Sequence, residues 1–263
     1  MTMLDAASPH PPMARPDVRR IGLSDLRYAL SKGVEDFLAM PTHVLFVIVI
    51  YPVAGVIIAT LAFEQDLVPL LFPLASGFAL VGPFAGIGLY ELSRRREAGL
   101  DTSWNHAYEP LKARSAGAIF AVGFVLMTIF FAWLVIAMGL YWALYGTERH
   151  ESVFAFAEEV LTTQRGWIMI VLGNLVGFAF SLIALAVSVV SLPMLVDREV
   201  DALTAIETSL SAVRMNPRTM VTWGFIVAGL LVMGMLPLFV GLALVMPILG
   251  HATWHLYRRT VAS

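Results

Sequence analysis

The stretch Pro73–Arg95, PLASGFALVGPFAGIGLYELSRR, recurs without a gap as Pro237–Arg259, PLFVGLALVMPILGHATWHLYRR. Eleven of the 23 aligned positions are identical, and they include two prolines, two glycines and a pair of arginines. Apolar bias raises the number of matches between any two membrane helices, but it does not place these residues in one register. The stretch therefore predicts an internal repeat, in which each copy is the second helix of a membrane hairpin with a basic end.

The composition of the whole chain favours a membrane protein. Hydrophobic residues make up 59% of the 263, charged residues make up 14%, and the mean hydropathy is +0.79. A membrane helix needs roughly 20 apolar residues to cross the bilayer core. The chain has five apolar runs: His43–Phe63, Leu67–Tyr90, Ala116–Tyr145, Trp167–Val196 and Met220–Tyr257. The last run is too long for one span, and the repeat divides it near Gly234–Leu236. We therefore expect six spans.

The distribution of basic residues predicts the orientation of these spans. Fifteen of the 17 Lys and Arg residues fall in four places, all on one side of a six-span bundle: the N-terminal region, residues 94–114, residues 198–218, and Arg258 with Arg259. The positive-inside rule makes this side and both termini cytoplasmic, in a bacterial inner membrane. We expect the basic face to contact anionic lipid headgroups, and no nucleic acid is needed to account for these arginines.

Mixed-polarity segments of helical period precede the expected hairpins. They are Ser24–Met40, Asp101–Ala113 and Asp197–Asn216. The apolar stripe of the first segment consists of Leu26, Leu30, Val34, Phe37 and Leu38. This pattern is typical of interfacial helices that lie in the headgroup layer, and the alternative is a cytoplasmic extension of each span.

Together these patterns predict an all-α fold, a polytopic transmembrane bundle of six spans in three parallel hairpins with cytoplasmic interfacial helices. Residues 1–20, rich in proline and lacking an apolar core, are expected to be a disordered cytoplasmic tail. Residues 21–263 are expected to form one membrane domain, with hairpin repeats at 21–96, 101–196 and 197–259.

The chain offers few residues for catalysis or metal binding. Cysteine is absent, and the motifs of phosphate-binding loops, dinucleotide sites, serine hydrolases and zinc proteases are all missing. His251 and His255 lie at i and i+4 and could together hold a metal or haem. Their counterparts in the first repeat are Ile87 and Glu91, which favours an aromatic and basic interfacial belt instead. We expect no catalytic residue, no metal and no cofactor.

Two polar residues in the expected spans need an explanation. Glu91 ends the second span within one turn of Arg94 and Arg95, so an ion pair would satisfy it, and a proton or cation gate is the alternative. Asn174 is the amide deepest in a span. Such residues hold helices together more often than they bind substrate.

The aligned prolines and glycines suggest how the helices pack. Pro83 and Pro247 should kink the second helix of each copy, and paired kinks are a pointer to a central cavity. Gly86 and Gly250 are expected to face neighbouring helices and to allow close contact. A packing role alone would also account for all four residues.

Four stretches carry a resemblance to a known family: Ile21–Met40, Val81–Arg96, Leu192–Asp201 and Pro237–Arg259. With the six-span plan, they resemble an uncharacterised family of proteobacterial integral membrane proteins, some of which are labelled cytochrome c oxidase subunits. The resemblance covers nearly all of the chain after residue 18 and brings no catalytic residues. It implies an accessory role at most, because a catalytic haem–copper subunit needs several mid-membrane histidines.

The sequence thus leaves two functional hypotheses. The first is a non-enzymatic membrane protein that binds lipid, a second copy of itself or respiratory complex subunits. The second is a small-molecule or lipid transporter or channel that acts as an oligomer. The empty catalytic inventory favours the first, and the paired proline kinks favour the second.

Overall fold

The computed structural model describes residues 16–40, 73–74, 82–84, 86–146, 153–236 and 241–262. These residues form helices and no strand. The α-helices are α1 Leu23–Ala39, α2 Ile87–Glu97, α3 Ala116–Tyr145, α4 Val153–Thr162, α5 Gln164–Ser188, α6 Ser191–Asp197, α7 Ala202–Met215, α8 Pro217–Met235 and α9 Leu242–Thr260. A 3-10 helix, Trp104–Leu111, lies between α2 and α3. The all-α prediction is confirmed for the described part of the chain.

Three helices in the described ranges are long and apolar enough to cross a membrane. They are α3, the stretch Gln164–Asp197 that comprises α5 and α6, and α8. The expected spans 43–63 and 67–90 lie wholly or mostly outside the described residues. α9 is helical but does not qualify, because its C-terminal half carries two histidines and two arginines. Six spans and the three-hairpin arrangement therefore stay predictions.

The helix boundaries confirm one expected division and differ from the expected spans in two other places. The run Met220–Tyr257 is divided, since α8 ends at Met235 and α9 begins at Leu242. The run 167–196 breaks after Ser188, where Pro193 near the start of α6 cannot donate a backbone hydrogen bond to the preceding turn. There the Val190 amide donates to the Ser209 hydroxyl of α7, 3.2 Å away. α4 lies between the apolar runs 116–145 and 167–196, where no helix was predicted.

α1 packs along α9 through a face of small residues. Its buried positions are Leu26, Ala29, Gly33 and Asp36. A Cβ atom on Gly33 would lie 2.7 Å from the Ala252 amide and from the Ile248 carbonyl oxygen, so the two backbones are in close contact.

The apolar stripe predicted for α1 is therefore not its packing face. Leu26 is buried, but Val34 is 40% exposed and Leu38 is 77% exposed. Close approach of two helices needs small side chains, and the alanine–glycine face meets this need better than the leucine-rich stripe does. Val34 and Leu38 on the apolar stripe therefore face outward.

The two described ends of the chain lie side by side. The Arg19 amide donates to the Thr260 carbonyl (2.7 Å), the Ala262 amide donates to the Asp17 carbonyl (2.9 Å), and Val18 forms an isolated β-bridge with Val261. The expected tail 1–20 is thus too long by several residues, because backbone hydrogen bonds order residues 17–19. Residues 1–15 lie outside the described part.

Candidate functional site

A buried polar cluster joins α1, α2 and α9. Asp36 Oδ2 accepts hydrogen bonds from the Ser93 hydroxyl (2.5 Å) and from His255 Nε2 (2.9 Å), and Arg96 donates to Asp36 Oδ1. His251 Nδ1 lies 2.8 Å from Ser93 Oγ. Asp36 is 3% exposed, Ser93 1% and His251 0%. We call these five residues the Asp36 cluster.

The contacts of Asp36 determine its charge. Burial alone would raise the pKa of its carboxyl, but hydrogen bonds from His255, Ser93 and Arg96, with the charge of His255, hold that pKa below its ordinary value. Since the one proton of the Ser93 hydroxyl goes to Asp36, His251 must donate its Nδ1 proton to Ser93 Oγ, a tautomer that we assign from the hydrogen bonds. Asp36 is therefore an anion on α1 that is held by side chains of α2 and α9.

The order of groups in the cluster does not fit hydrolysis. In a serine hydrolase the histidine lies between the serine and the carboxylate, so that it can remove the serine proton. Here Ser93 lies between Asp36 and His251, and its hydroxyl is closed to solvent. In the described ranges no group of three or more His, Asp or Glu side chains could hold a metal ion. The arrangement is suited to fixing helices.

The structure places the two histidines differently from the expected belt. His251 is fully buried, and His255 contacts Asp36 on α1. Their neighbours Trp254 and Tyr257 are each 1% exposed, and they donate to Glu97 (3.0 Å) and Asp197 (2.6 Å). These groups turn inward because carboxylates on other helices lie within hydrogen-bonding distance.

Glu91 makes the ion pair that its spacing predicts. Its carboxylate is 2% exposed and accepts two hydrogen bonds from Arg94, at 2.8 and 2.7 Å, while Arg95 lies 3.7 Å away. Asn174 does not bridge helices in the described part of the chain. It is exposed, and its side chain donates to the Ile170 carbonyl of its own helix (2.7 Å).

Asp36, Ser93 and Arg96 were not among the residues singled out from the sequence. Asp36 and Ser93 are 57 residues apart, and Asp36 and His255 are 219 residues apart, so no local spacing relates them. One signal was available: Asp36 continues the line of small residues Ala29 and Gly33 along one face of α1, where a solvated carboxylate is not expected.

An apolar groove runs between α5, α8 and α9, and Gly82, Pro83, Gly86, Leu89 and Tyr90 also line it. Its volume is about 280 Å³. Residues that line it include Phe178, Leu185, Gly224, Ala228, Leu231 and Leu249. On α8 the lining extends from Val221 to Met235, which is about 21 Å along the helix axis. This length exceeds half of a bilayer core that is about 30 Å thick.

The hydroxyl groups of the described lining residues donate hydrogen bonds within the protein. Ser181, Ser188 and Thr253 donate to carbonyls of their own helices, and Tyr90 donates to the Pro83 carbonyl. These four hydroxyl protons are directed at backbone carbonyls of the protein and not into the groove.

Three of the four aligned prolines and glycines border the groove: Pro83, Gly86 and Gly250. Gly250 meets a neighbouring helix, because a Cβ there would lie 2.3 Å from Leu89 Cδ1 of α2. Gly86 instead lies against Tyr90 of its own segment, where a Cβ would lie 2.8 Å from the hydroxyl oxygen. Pro247 is buried within α9, and it is not among the lining residues.

Comparison with known proteins agrees with this apolar architecture. Residues 71–197 match a family model described as "Predicted integral membrane protein (DUF2189)". The chain is similar to an uncharacterised membrane protein family. No curated protein and no solved structure matches it. The match and the three apolar helices support an integral membrane protein.

The matched region includes only part of each site. It contains α2 through α6, and with them Ser93 and Arg96 of the Asp36 cluster and the α5 wall of the groove. Asp36, His251 and His255 lie outside it, as do α8 and α9. The match therefore supports the membrane assignment and carries no information about a ligand.

Proposed function

We propose that this protein is a non-enzymatic inner-membrane protein that binds a membrane lipid, with one acyl chain in the groove between α5, α8 and α9. The observation that carries the proposal is the groove itself. Two of its three helical walls belong to the helices that are apolar enough to span a membrane. Acyl chains are the apolar groups that surround such helices.

The shape and chemistry of the groove support a chain as its ligand. Its length along α8 is about 21 Å, so an extended chain parallel to the helices fits better than a compact solute. A polar solute would need donors and acceptors that converge on it, whereas the groove hydroxyls donate to helix carbonyls. Exposed apolar residues on α3, such as Phe124 (74%) and Val135 (71%), are consistent with lipid around the whole bundle.

The orientation proposed for the protein has six spans and both termini in the cytoplasm. Support comes from the basic residues, which concentrate at the described ends of the chain and at the α2–α3 and α6–α8 connections. Topology reporters fused at Ser263 and at Glu151 should lie on opposite sides of the membrane. Reporters on the same side would rule out the six-span topology.

The two aligned stretches are proposed to be copies of one unit. In support, α2 and the residues of α9 that align with it, from His251 onward, are both helical. An experimental structure in which Pro73–Arg95 and Pro237–Arg259 fail to superpose would reject the repeat.

Partner subunits are a further part of this proposal. The resemblance to proteins labelled as oxidase subunits suggests an accessory role in a respiratory complex. Gentle purification should then recover oxidase subunits in stoichiometric amounts. Recovery of a homo-oligomer alone would exclude that role and leave lipid binding in place.

A transporter that acts as an oligomer is the second candidate. It is favoured by one observation: Gly250 lines the groove, and the next residue, His251, belongs to the Asp36 cluster. A displacement of His251 in the Asp36 cluster would thus displace Gly250 in the groove wall. Reconstituted protein that moves labelled lipid or solute across a vesicle membrane would support transport, and binding without flux would favour the first candidate.

A matched pair of glycines on α8 tests the groove. Gly224 lines it, with its Cβ position 3.4 Å from Leu185 Cδ2, whereas a Cβ on Gly229 would meet nothing within 4 Å. Gly224→Phe should therefore fill the groove, and Gly229→Phe should place the same ring outside it. Native mass spectrometry of the purified variants should show co-purified lipid in the parent and in Gly229→Phe. Gly224→Phe should retain little.

The result is interpretable only if both variants fold, which thermal unfolding in detergent would verify. Equal lipid retention by a folded Gly224→Phe variant would reject the groove as the binding site.

A further inference from the structure

Four arginines surround the junction between α7 and α8. Arg214 lies in the last turn of α7, and Arg218 lies in the first turn of α8. Arg19 and Arg20 belong to the extended segment before α1. All four are exposed. We call them the arginine corner.

Hydrogen bonds hold the N-terminal segment at this junction. Asn216 Oδ1 accepts from the Ile21 amide (2.8 Å), and its Nδ2 donates to the Arg19 carbonyl (3.0 Å). The Thr219 hydroxyl donates to the Ile21 carbonyl (3.0 Å). Since these bonds fix the residues on both sides of Arg20, Arg20 is kept close to the start of α8. The chain thus gathers cations from two distant segments.

Each arginine on α2 and α9 contacts a carboxylate, unlike the arginines of the corner. The pairs are Arg94–Glu91, Arg95–Glu109, Arg96–Asp36, Arg258–Glu97 and Arg259–Asp25. Within the part of the chain that the structure describes, no carboxylate lies within 4.0 Å of a guanidinium nitrogen of the arginine corner. The positive charge of the corner is therefore available to an external anion.

The corner lies where the lipid headgroups would be. The apolar part of α8 begins just after Arg218, and α8 is one of the three helices that could cross a membrane. Val221 and Phe225, three and seven residues further, follow Arg218 along one side of α8, and both line the groove. Arg218 is thus about 4.5 Å along the helix axis from the end of the groove lining.

We propose that the arginine corner binds the phosphate of an anionic phospholipid whose acyl chain lies in the groove, with Arg218 as the principal contact and Arg20 and Arg214 beside it. The inference rests on the proposed function, because the groove supplies the chain site. A guanidinium donates two parallel hydrogen bonds to phosphate oxygens. Unpaired arginines at headgroup level attract anionic lipid more strongly than zwitterionic lipid.

Lipid competition tests this site. The purified protein is incubated with equal amounts of phosphatidylglycerol and phosphatidylcholine of one chain length, and native mass spectrometry counts the bound molecules of each. The parent should prefer phosphatidylglycerol. Arg218→Gln should reduce that preference about fivefold, the effect of one arginine near a charged membrane surface, and Arg214→Gln should reduce it further.

Arg114→Gln is the matched control. Arg114 precedes α3, its side chain is 88% exposed, and it is not part of the groove. This variant should keep the preference of the parent. If Arg218→Gln and Arg114→Gln prefer phosphatidylglycerol equally, the arginine corner does not bind the headgroup and the inference is wrong.

The outcomes for the two proposals can be told apart. If the inference holds, Arg218→Gln binds phosphatidylcholine as the parent does, and Gly224→Phe loses both lipids. If Arg218→Gln leaves the preference unchanged while Gly224→Phe still loses both lipids, only the headgroup site is rejected. If Gly224→Phe keeps both lipids, the groove proposal fails, and this inference fails with it.

Inorganic phosphate distinguishes a lipid from a soluble anion. Phosphate alone should not raise the melting temperature of the delipidated protein, because it lacks the chain that the groove binds. The opposite result would be that phosphate and phosphatidylglycerol raise the melting temperature equally and that Arg218→Gln abolishes both effects. This result would assign the arginine corner to a soluble anion and overturn the lipid assignment.

Discussion

The Asp36 cluster and the groove are adjacent on α9, where His251 belongs to the first and Gly250 to the second, yet the two regions are organised in opposite ways. In the cluster, Asp36, Ser93 and His251 are closed off from solvent and hydrogen-bonded to one another. In the groove, the described residues line an apolar space with a volume of about 280 Å³. The comparison suggests that the cluster fixes the helices and that the groove is kept open for a ligand.

Burial follows the same division. Eleven of the 19 residues of α9 are buried, whereas only 22% of the most apolar window of α3 is buried. Protein contacts therefore hold α9 in place, while much of α3 is exposed. Changes near the cluster should mainly affect stability, and changes in the groove should mainly affect binding.

The largest expected effect is at Asp36. Asp36→Asn removes the negative charge from a site that also contains Arg96, and breaking a buried pair typically costs 3–5 kcal/mol. We expect about 3 kcal/mol, near the lower limit, because the Arg96 side chain is 38% exposed. Denaturant unfolding in detergent measures the change.

Glu35→Gln is the control for this prediction. The Glu35 carboxylate pairs with Lys32 on the surface of α1. Loss of this exposed pair should leave the free energy of unfolding unchanged within error. Equal effects of the two substitutions would mean that the Asp36 cluster does not hold α1 in place.

A smaller effect is expected where the two regions meet. Gly250→Leu would force the side chain into Leu89 of α2, and overpacking of this kind costs about 1–3 kcal/mol. Gly139→Leu on α3 should be nearly silent, because a Cβ there meets nothing within 4 Å. Thermal unfolding of both variants checks the difference, and similar melting temperatures would show that α2 and α9 are not in close contact.

The smallest effect is expected at His106, whose hydrogen bonds are exposed to solvent. Hydrogen bonds to Glu109 (2.6 Å) and Asp101 (3.0 Å) raise the pKa of His106 above its ordinary value. A raised folded-state pKa stabilises the protein below the pKa of the unfolded chain, and the contribution is lost as the pH rises through the folded value. The parent should therefore lose slightly more stability than His106→Gln between about pH 6 and pH 8.

An NMR titration of His106 gives the direct measurement. An apparent pKa at or below the usual value of about 6.5 would contradict this prediction. Even if it is correct, the effect should remain far below that of Asp36→Asn, because water screens an exposed pair.

Local spacing predicted part of this arrangement well. The Glu91–Arg94 pair followed from residues three apart on one helix, and the division of the run 220–257 followed from its length. The packing face of α1 was not predicted, because hydrophobicity marks its leucine stripe and close packing selects its small residues. The groove required three helices to be placed together, which no single segment encodes.

The sequence by itself determined the all-α class and the apolar helices, because these depend on composition and on periodicity within one segment. Only the tertiary structure decided that Asp36, Ser93 and His251 share a buried site and that the residues on both sides of Arg20 bind Asn216 and Thr219 at the start of α8. These contacts join residues separated by 57 to 198 positions. Their geometry depends on how the helices and the extended N-terminal segment pack, and packing is set by the shapes of all the contacting surfaces together.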